Sequence, residues 1–209
     1  ECTEIFFLLN RDIFFRTLCL VAVTTCFTSQ GAGRGEIILA VNALLMQLFT
    51  LFSYVMDGFA YAAEALTGRY VGAKNLNGFK RLVRVLFAWG AGLSLLFTVL
   101  YITGGKSFLA LLTNEEMVLN AATRYAFWTW CIPLAGMAAF LWDGIYIGAT
   151  ASRQMLYSML IASICFFVVY MSLRALIGNH ALWLAFIVYL LSRGMVQTCL
   201  APGIFRRIS

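Results

Sequence analysis

The stretch Asp57-Gly-Phe-Ala-Tyr-Ala-Ala-Glu-Ala-Leu-Thr-Gly-Arg-Tyr-Val-Gly-Ala-Lys74 decides how this chain is read. It begins as helix inside a long apolar segment, yet it carries two carboxylates, Asp57 and Glu64. Gly68 and Gly72 then predict a break into a basic loop. An acid inside a membrane helix is costly and marks an ion or substrate pathway by default. A second Asp-Gly, Asp143-Gly144, lies late in another apolar segment. The two acids together point to transport.

Composition around this stretch sets the class. The chain is 62% hydrophobic and only 11% charged, with a mean hydropathy of +0.87. A soluble domain is about half apolar and about a quarter charged, so these charges cannot cover a water-facing surface. The chain reads as an all-α, polytopic membrane protein. Six spans are predicted at 13–30, 37–66, 79–103, 117–148, 153–177 and 181–201. Each is long enough to cross about 30 Å of hydrocarbon at about 1.5 Å per residue. The second and fourth exceed that need. The alternating segments of a membrane barrel are absent from the sequence.

Six spans put both termini on one side. That side collects Arg11, Arg16, Arg69, Lys74, Lys80, Arg81, Arg84, Arg153, Arg206 and Arg207, against Arg34, Lys106, Arg124 and Arg174 on the other. The positive-inside rule makes the richer side cytoplasmic, in a plasma (inner) membrane. The net charge of +6 then faces anionic membrane lipids and implies no nucleic-acid partner. The six cysteines are scattered without a Cys-x-x-Cys pair, so they read as small packing residues and not as a metal or redox centre. His180 is the only histidine. Its Gly178-Asn179-His180 segment reads as the entry to the last helix, with Trp183 an interfacial anchor. Upstream of the fourth span, Thr113 and Glu116 have capping-box spacing.

On the second helix Thr50, Tyr54, Asp57, Tyr61 and Glu64 recur at steps of three or four and share one face, with Asn42 farther out on the same side. Asp57 and Glu64 lie two turns apart, about 10 Å along the axis, too far to share one proton. Asp57 is open to three roles: a proton carrier, a cation ligand, or a hydrogen-bonding tie between helices. Glu64 and Asp143 are candidates for the same chemistry, with Tyr61 and Tyr146 as possible cavity groups. Each Asp-Gly is followed by a tyrosine, a weak internal echo of the kind repeat-built transporters show. Gly68-x-x-x-Gly72 and Gly144-x-x-x-Gly148 have the spacing of close helix approach. Pro133 sits mid-span in the fourth helix and is a candidate hinge. Trp128, Trp130, Trp142 and Tyr146 form an aromatic group open to cavity lining or to lipid-facing packing. No catalytic constellation such as His-Glu-x-x-His is present, so the chain does not read as an enzyme.

Four segments match a known family. They are Leu9-Asn10-Arg11-Asp12-Ile13 with Arg16-Thr17-Leu18; Asp57 to Tyr61 through Gly68 to Ala73; Leu111 to Glu116; and Asp143-Gly144, Gly148-Ala149-Thr150 and Gly178 to Trp183. In them the chain resembles the C-terminal half of a MATE (multidrug and toxic compound extrusion) transporter of the DinF-like branch. The likeness runs over nearly all of residues 1–209, read as one six-helix lobe. It implies an exporter of two such lobes that exchanges H⁺ or Na⁺ for small organic, often cationic, amphipathic molecules by alternating access, with no other cofactor. Other branches use acids in the first, second and fourth helices of this lobe, which makes Asp57 or Glu64, and Asp143, the implied coupling or cavity residues. The first helix departs from that pattern: it offers Thr24, Thr25, Thr28 and Gln30 but no mid-span acid.

The implied N-terminal lobe lies outside the sequence, so a fragment is expected. Two alternatives stand beside the exporter: a flippase-like relative moving lipid-linked substrates, which calls for a more basic cavity, and a non-transporting structural lobe. The acids also carry an expectation for variants: Asp57→Asn and Asp143→Asn both cripple efflux and leave expression intact.

Overall fold

A computed structural model describes residues 2–208, with side chains from Arg11 onward except that of Arg207. Cys2, the Leu9-Asn10 pair and Arg207 therefore fall outside the described side chains. The described residues form an all-α bundle. The helices are α1 Cys2–Ala32, α2 Glu36–Gly72, α3 Leu76–Leu112, α4 Glu116–Gly148, α5 Ser152–Ile177, α6 Asn179–Leu200 and a short α7 Pro202–Ile208. The first six are long and apolar enough to cross a membrane. Turns of one to three residues join them, which forces consecutive spans to run antiparallel.

Several helices run past their expected ends. The predicted break at Gly68 does not occur: α2 continues to Gly72, and the basic turn shrinks to Ala73-Lys74-Asn75. Likewise α3 passes through Gly104 and Gly105 and ends only at Leu112. A helical glycine costs about 1 kcal/mol relative to alanine, too little to stop a helix whose flanks are apolar on both sides. At Gly68 a Cβ would stand 3.6 Å from the Gly148 carbonyl oxygen of α4, an ordinary van der Waals contact, so packing does not demand that glycine. The capping box also fails. Glu115 is the N-cap of α4, and the Thr113 hydroxyl accepts instead from the Glu115 amide at 3.2 Å.

Burial places α4 and α6 at the centre. The apolar windows of α4 and α6 are 61% and 56% buried, against 33% or less for the other spans. The outer faces of α3 and α5 show Leu95, Leu96, Val99, Ile164 and Val168 exposed, the pattern of helices bathed in lipid. Between α2 and α4 the backbones nearly touch. A Cβ at Gly144 would run into the Ala60 carbonyl, and one at Gly148 into the Glu64 carbonyl. The Gly144-x-x-x-Gly148 spacing is thus a close helix contact, whereas Gly72 of the other spacing meets nothing within 4 Å; the α2–α4 contact sets the acids of α2 beside Asp143.

One internal repeat is structural. Gly68-Arg-Tyr-Val-Gly-Ala-Lys74 and Gly144-Ile-Tyr-Ile-Gly-Ala-Thr150 end α2 and α4 with the same hydrogen bonds. Lys74 N–H donates to the Val71 carbonyl and Asn75 N–H to the Tyr70 carbonyl. Thr150 N–H donates to the Ile147 carbonyl and Ala151 N–H to the Tyr146 carbonyl. Both are Schellman stops, with Lys74 at φ 49° and Thr150 at φ 53° in the left-handed position. In this register Asp143 matches Thr67 and not Asp57. The Asp-Gly echo is therefore coincidental, and the glycine turns are the repeat.

Candidate functional site

A cleft of about 480 Å³ opens between α1, α2, α4 and α6. Toward the end that carries the two glycine turns its walls are charged: Arg16 from α1, Asp57 and Glu64 from α2, Asp143 from α4 and Arg193 from α6. Farther along, the walls turn apolar through Phe49, Phe140 and Phe186, whose rings pack with Phe49 at 5.0 Å from Phe186 and 6.3 Å from Phe140.

Asp143 is the best-connected group. Its Oδ2 accepts from Nη2 of Arg16 at 2.7 Å and from Nη2 of Arg193. Its Oδ1 accepts from Nε2 of Gln197 at 2.6 Å. Both Asp143 and Arg193 are buried. A carboxylate that accepts from two guanidiniums and an amide has its lone pairs engaged, and bonds from guanidinium donors are the strong kind. The three donors come from α1 and α6, so this one acid ties both helices to α4.

Asp57 is different. It lines the same cleft, half-buried, but no ion pair within 4 Å involves it among the described residues. It feels the charges of Asp143, Arg193 and Arg16 at longer range. Glu64 lies farther along the same wall, and Tyr61 stands 71% exposed at the mouth. The shared face read on the second helix is the cleft wall for Asp57, Tyr61 and Glu64.

Other expectations move. Tyr146 does not reach the cleft; it is fully buried and donates its hydroxyl to the Gln197 carbonyl at 2.7 Å, bracing the residue that holds Asp143. Trp142 is buried against α6, with its indole N–H on the Thr198 hydroxyl at 2.8 Å. Trp128 donates to His180 Nδ1 at 3.0 Å. The apolar part of the cleft is formed by the three phenylalanines with Leu20, Val21, Ile147 and Leu190, and by none of these tryptophans. Trp183 is no interfacial anchor: it is fully buried and donates to Asn42 Oδ1 at 2.9 Å, where Asn42 and Asn179 also exchange reciprocal amide bonds. Pro133 is buried within a continuous α4.

Arg193 and Arg16 are the residues the sequence reading missed. Arg193 lies inside an apolar span, and the rule that flagged the acids flags it equally. Arg16 was counted as a basic end residue, but its side chain is only 23% exposed and turned onto Asp143. The cleft therefore holds cations as well as the acids that the sequence pointed to.

The MatE family model matches residues 13–171. This chain belongs to the MATE family. It is 41% identical over 187 residues to "DNA damage-inducible protein F" of Escherichia coli (strain K12), covering 90% of this chain and 40% of that protein. It is 28% identical over 152 residues to "Protein DETOXIFICATION 44, chloroplastic" of Arabidopsis thaliana, covering 70% of this chain and 28% of that one. The MATE chain thus spans well under half the length of these curated relatives. The matched region contains Arg16, Asp57, Glu64 and Asp143, while Arg193 and Gln197 lie beyond it.

Proposed function

We propose that this bundle is one lobe of a secondary efflux transporter that exports amphipathic organic molecules in exchange for protons. The observation that carries the reading is the cleft itself. It pairs an aromatic wall with charged groups; among the described residues Asp57 and Glu64 make no contact ion pair, and of these two it is Asp57 that feels the charges of the saturated Asp143 and its arginines.

A coupling group must change its state during the cycle. Asp143 meets two guanidiniums and an amide, and releasing it strands two cations. Asp57 faces Glu64 on its own helix, Arg16 on α1, Asp143 on α4 and Arg193 on α6, with no contact ion pair among the described residues. It is the group on this wall that takes up and releases a proton at the least structural cost. Na⁺ fits less well, because a sodium ion at Asp57 would share the cleft with two fixed guanidiniums and could not use the engaged oxygens of Asp143. Cationic substrates meet Asp57 and Glu64, with Tyr61 at the mouth.

In this reading a second lobe closes the cleft from the opposite side, and alternating access moves one lobe against the other. Pro133 removes a backbone donor in α4 and gives that helix a place to bend. The lobe sits in the plasma (inner) membrane with its arginine-rich end cytoplasmic, in contact with anionic lipids.

The test uses the full-length protein in proteoliposomes loaded with ethidium. An imposed proton gradient drives dye export in the wild type, Asp57→Asn abolishes the gradient dependence, and Asp57→Glu retains part of it. Export by Asp57→Asn that follows the gradient as in the wild type overturns the assignment.

A further inference from the structure

At the charged end of the cleft two guanidiniums share one carboxylate, with the Tyr189 side chain beside Arg193. Arg16 and Arg193 both address one oxygen of Asp143 through Nη2, so two cations contact one anion. The Nε of each arginine is buried without a hydrogen-bond partner, as is Oε1 of Gln197. A guanidinium carries five N–H donors, and leaving them unmet away from water is costly. Arg193 is itself buried, and both arginines line the cleft next to the Phe49, Phe140 and Phe186 wall. Asp57 lines the same cleft, but it makes no contact pair with either arginine.

We infer that Arg16 and Arg193 form a subsite for the carboxylate of an amphipathic organic acid, whose apolar body lies against the three phenylalanines. The inference rests on the proposed transport role and names a substrate class for that same cleft. Two guanidiniums from different helices present donors to one oxyanion, the geometry in which arginine outperforms lysine. The ligand supplies the second negative charge that the Arg16–Asp143–Arg193 cluster lacks, and water leaves the phenylalanine wall as the apolar body enters. Acidic and basic groups on one cleft then serve different ends of the cargo: Asp57 and Glu64 accept cationic parts, and the arginines accept an anionic part.

The test measures binding to the full-length protein in lipid nanodiscs, using tritiated naphthaleneacetate, its neutral amide as the matched competitor, and dodecyl phosphate as a lipid-like anion. The wild type is expected to prefer the carboxylate over the amide by about tenfold. Arg16→Gln and Arg193→Gln are expected to erase that preference, and Arg16→Lys to keep part of it. The preference is a ratio within each variant, so partial loss of folded protein does not change it. Equal binding of acid and amide by the wild type overturns the inference, as does an unchanged ratio in both glutamine variants. Dodecyl phosphate displacing the probe far better than unlabelled naphthaleneacetate also overturns it, in favour of a phosphate-headed lipid. Binding is read without a gradient, so its outcome stands apart from that of the proton-driven export assay.

Discussion

Arg193 of α6 donates to Asp143 of α4 inside the bundle, across 50 residues of sequence. Arg16 of α1 completes the pair from the other side at 2.7 Å. One carboxylate therefore fastens three helices, and removing it leaves two guanidiniums in a low-dielectric interior. Breaking a buried pair by deleting one partner costs about 3–5 kcal/mol. Asp143→Asn is expected to lower the thermal stability of the detergent-solubilised protein sharply and to reduce its yield, whereas Asp57→Asn leaves both near wild type. Fluorescence-detected size-exclusion chromatography after heating reads the difference. Equal midpoints for the two variants would remove the lock. The structure thus parts two acids that the sequence treats alike, and intact expression is now predicted for the Asp57 variant alone.

The Arg193–Asp143 contact is also expected to couple energetically. In a double-mutant cycle of Arg193→Gln and Asp143→Asn, the double variant should be less destabilised than the sum of the singles by about 1–3 kcal/mol, as for groups within one network. Additive losses would show that the two residues act separately.

The glycines of α2 and α4 divide by their surroundings. Gly144→Ala drives a methyl into the Ala60 carbonyl of α2 and should cost about 1–3 kcal/mol, because backbone cannot move aside as a flexible side chain can. Gly58→Ala meets nothing within 4 Å and should be neutral or stabilising by up to about 1 kcal/mol, the helix propensity difference. Thermal midpoints of the two variants check the contrast, and a stable Gly144→Ala would contradict the close approach of α2 and α4.

Tyr146 offers a test of position. Tyr146→Phe removes one hydrogen bond to the Gln197 carbonyl and should cost about 1 kcal/mol while export persists. Tyr61→Phe changes a hydroxyl at the mouth of the cleft and should alter the apparent affinity for a cationic dye without loss of stability. Loss of export in Tyr146→Phe at full stability would return that residue to the cleft.

The spans were legible because apolar runs between charges are long and their interruptions few. Helix ends were less so: Gly68, Gly104 and Gly105 look like breaks in sequence, but packing outweighs their small propensity cost. The site was half legible. Asp57 and Asp143 stood out as acids among apolar residues. Arg193 carries the same signal with the opposite sign, and Arg16 sits among the basic residues near a helix end, where charge alone does not mark a site. Which acid is free and which is held depends on contacts between α1, α4 and α6, far apart in the chain. No periodicity encodes that. Burial of Trp183 on Asn42 is of the same kind: a tryptophan near a helix start reads as an interfacial anchor until the partner helix is placed.

In the proposed cycle Asp57 exchanges a proton while Asp143 stays locked in its ion pairs. Infrared difference spectroscopy of the full-length protein, taken across a pH change, reads carboxyl protonation directly through the carbonyl stretch of the neutral acid. The expected result is a band that appears on acidification in the wild type and is missing in Asp57→Asn. A band that survives in Asp57→Asn but vanishes in a folded Asp143→Asn would contradict the account.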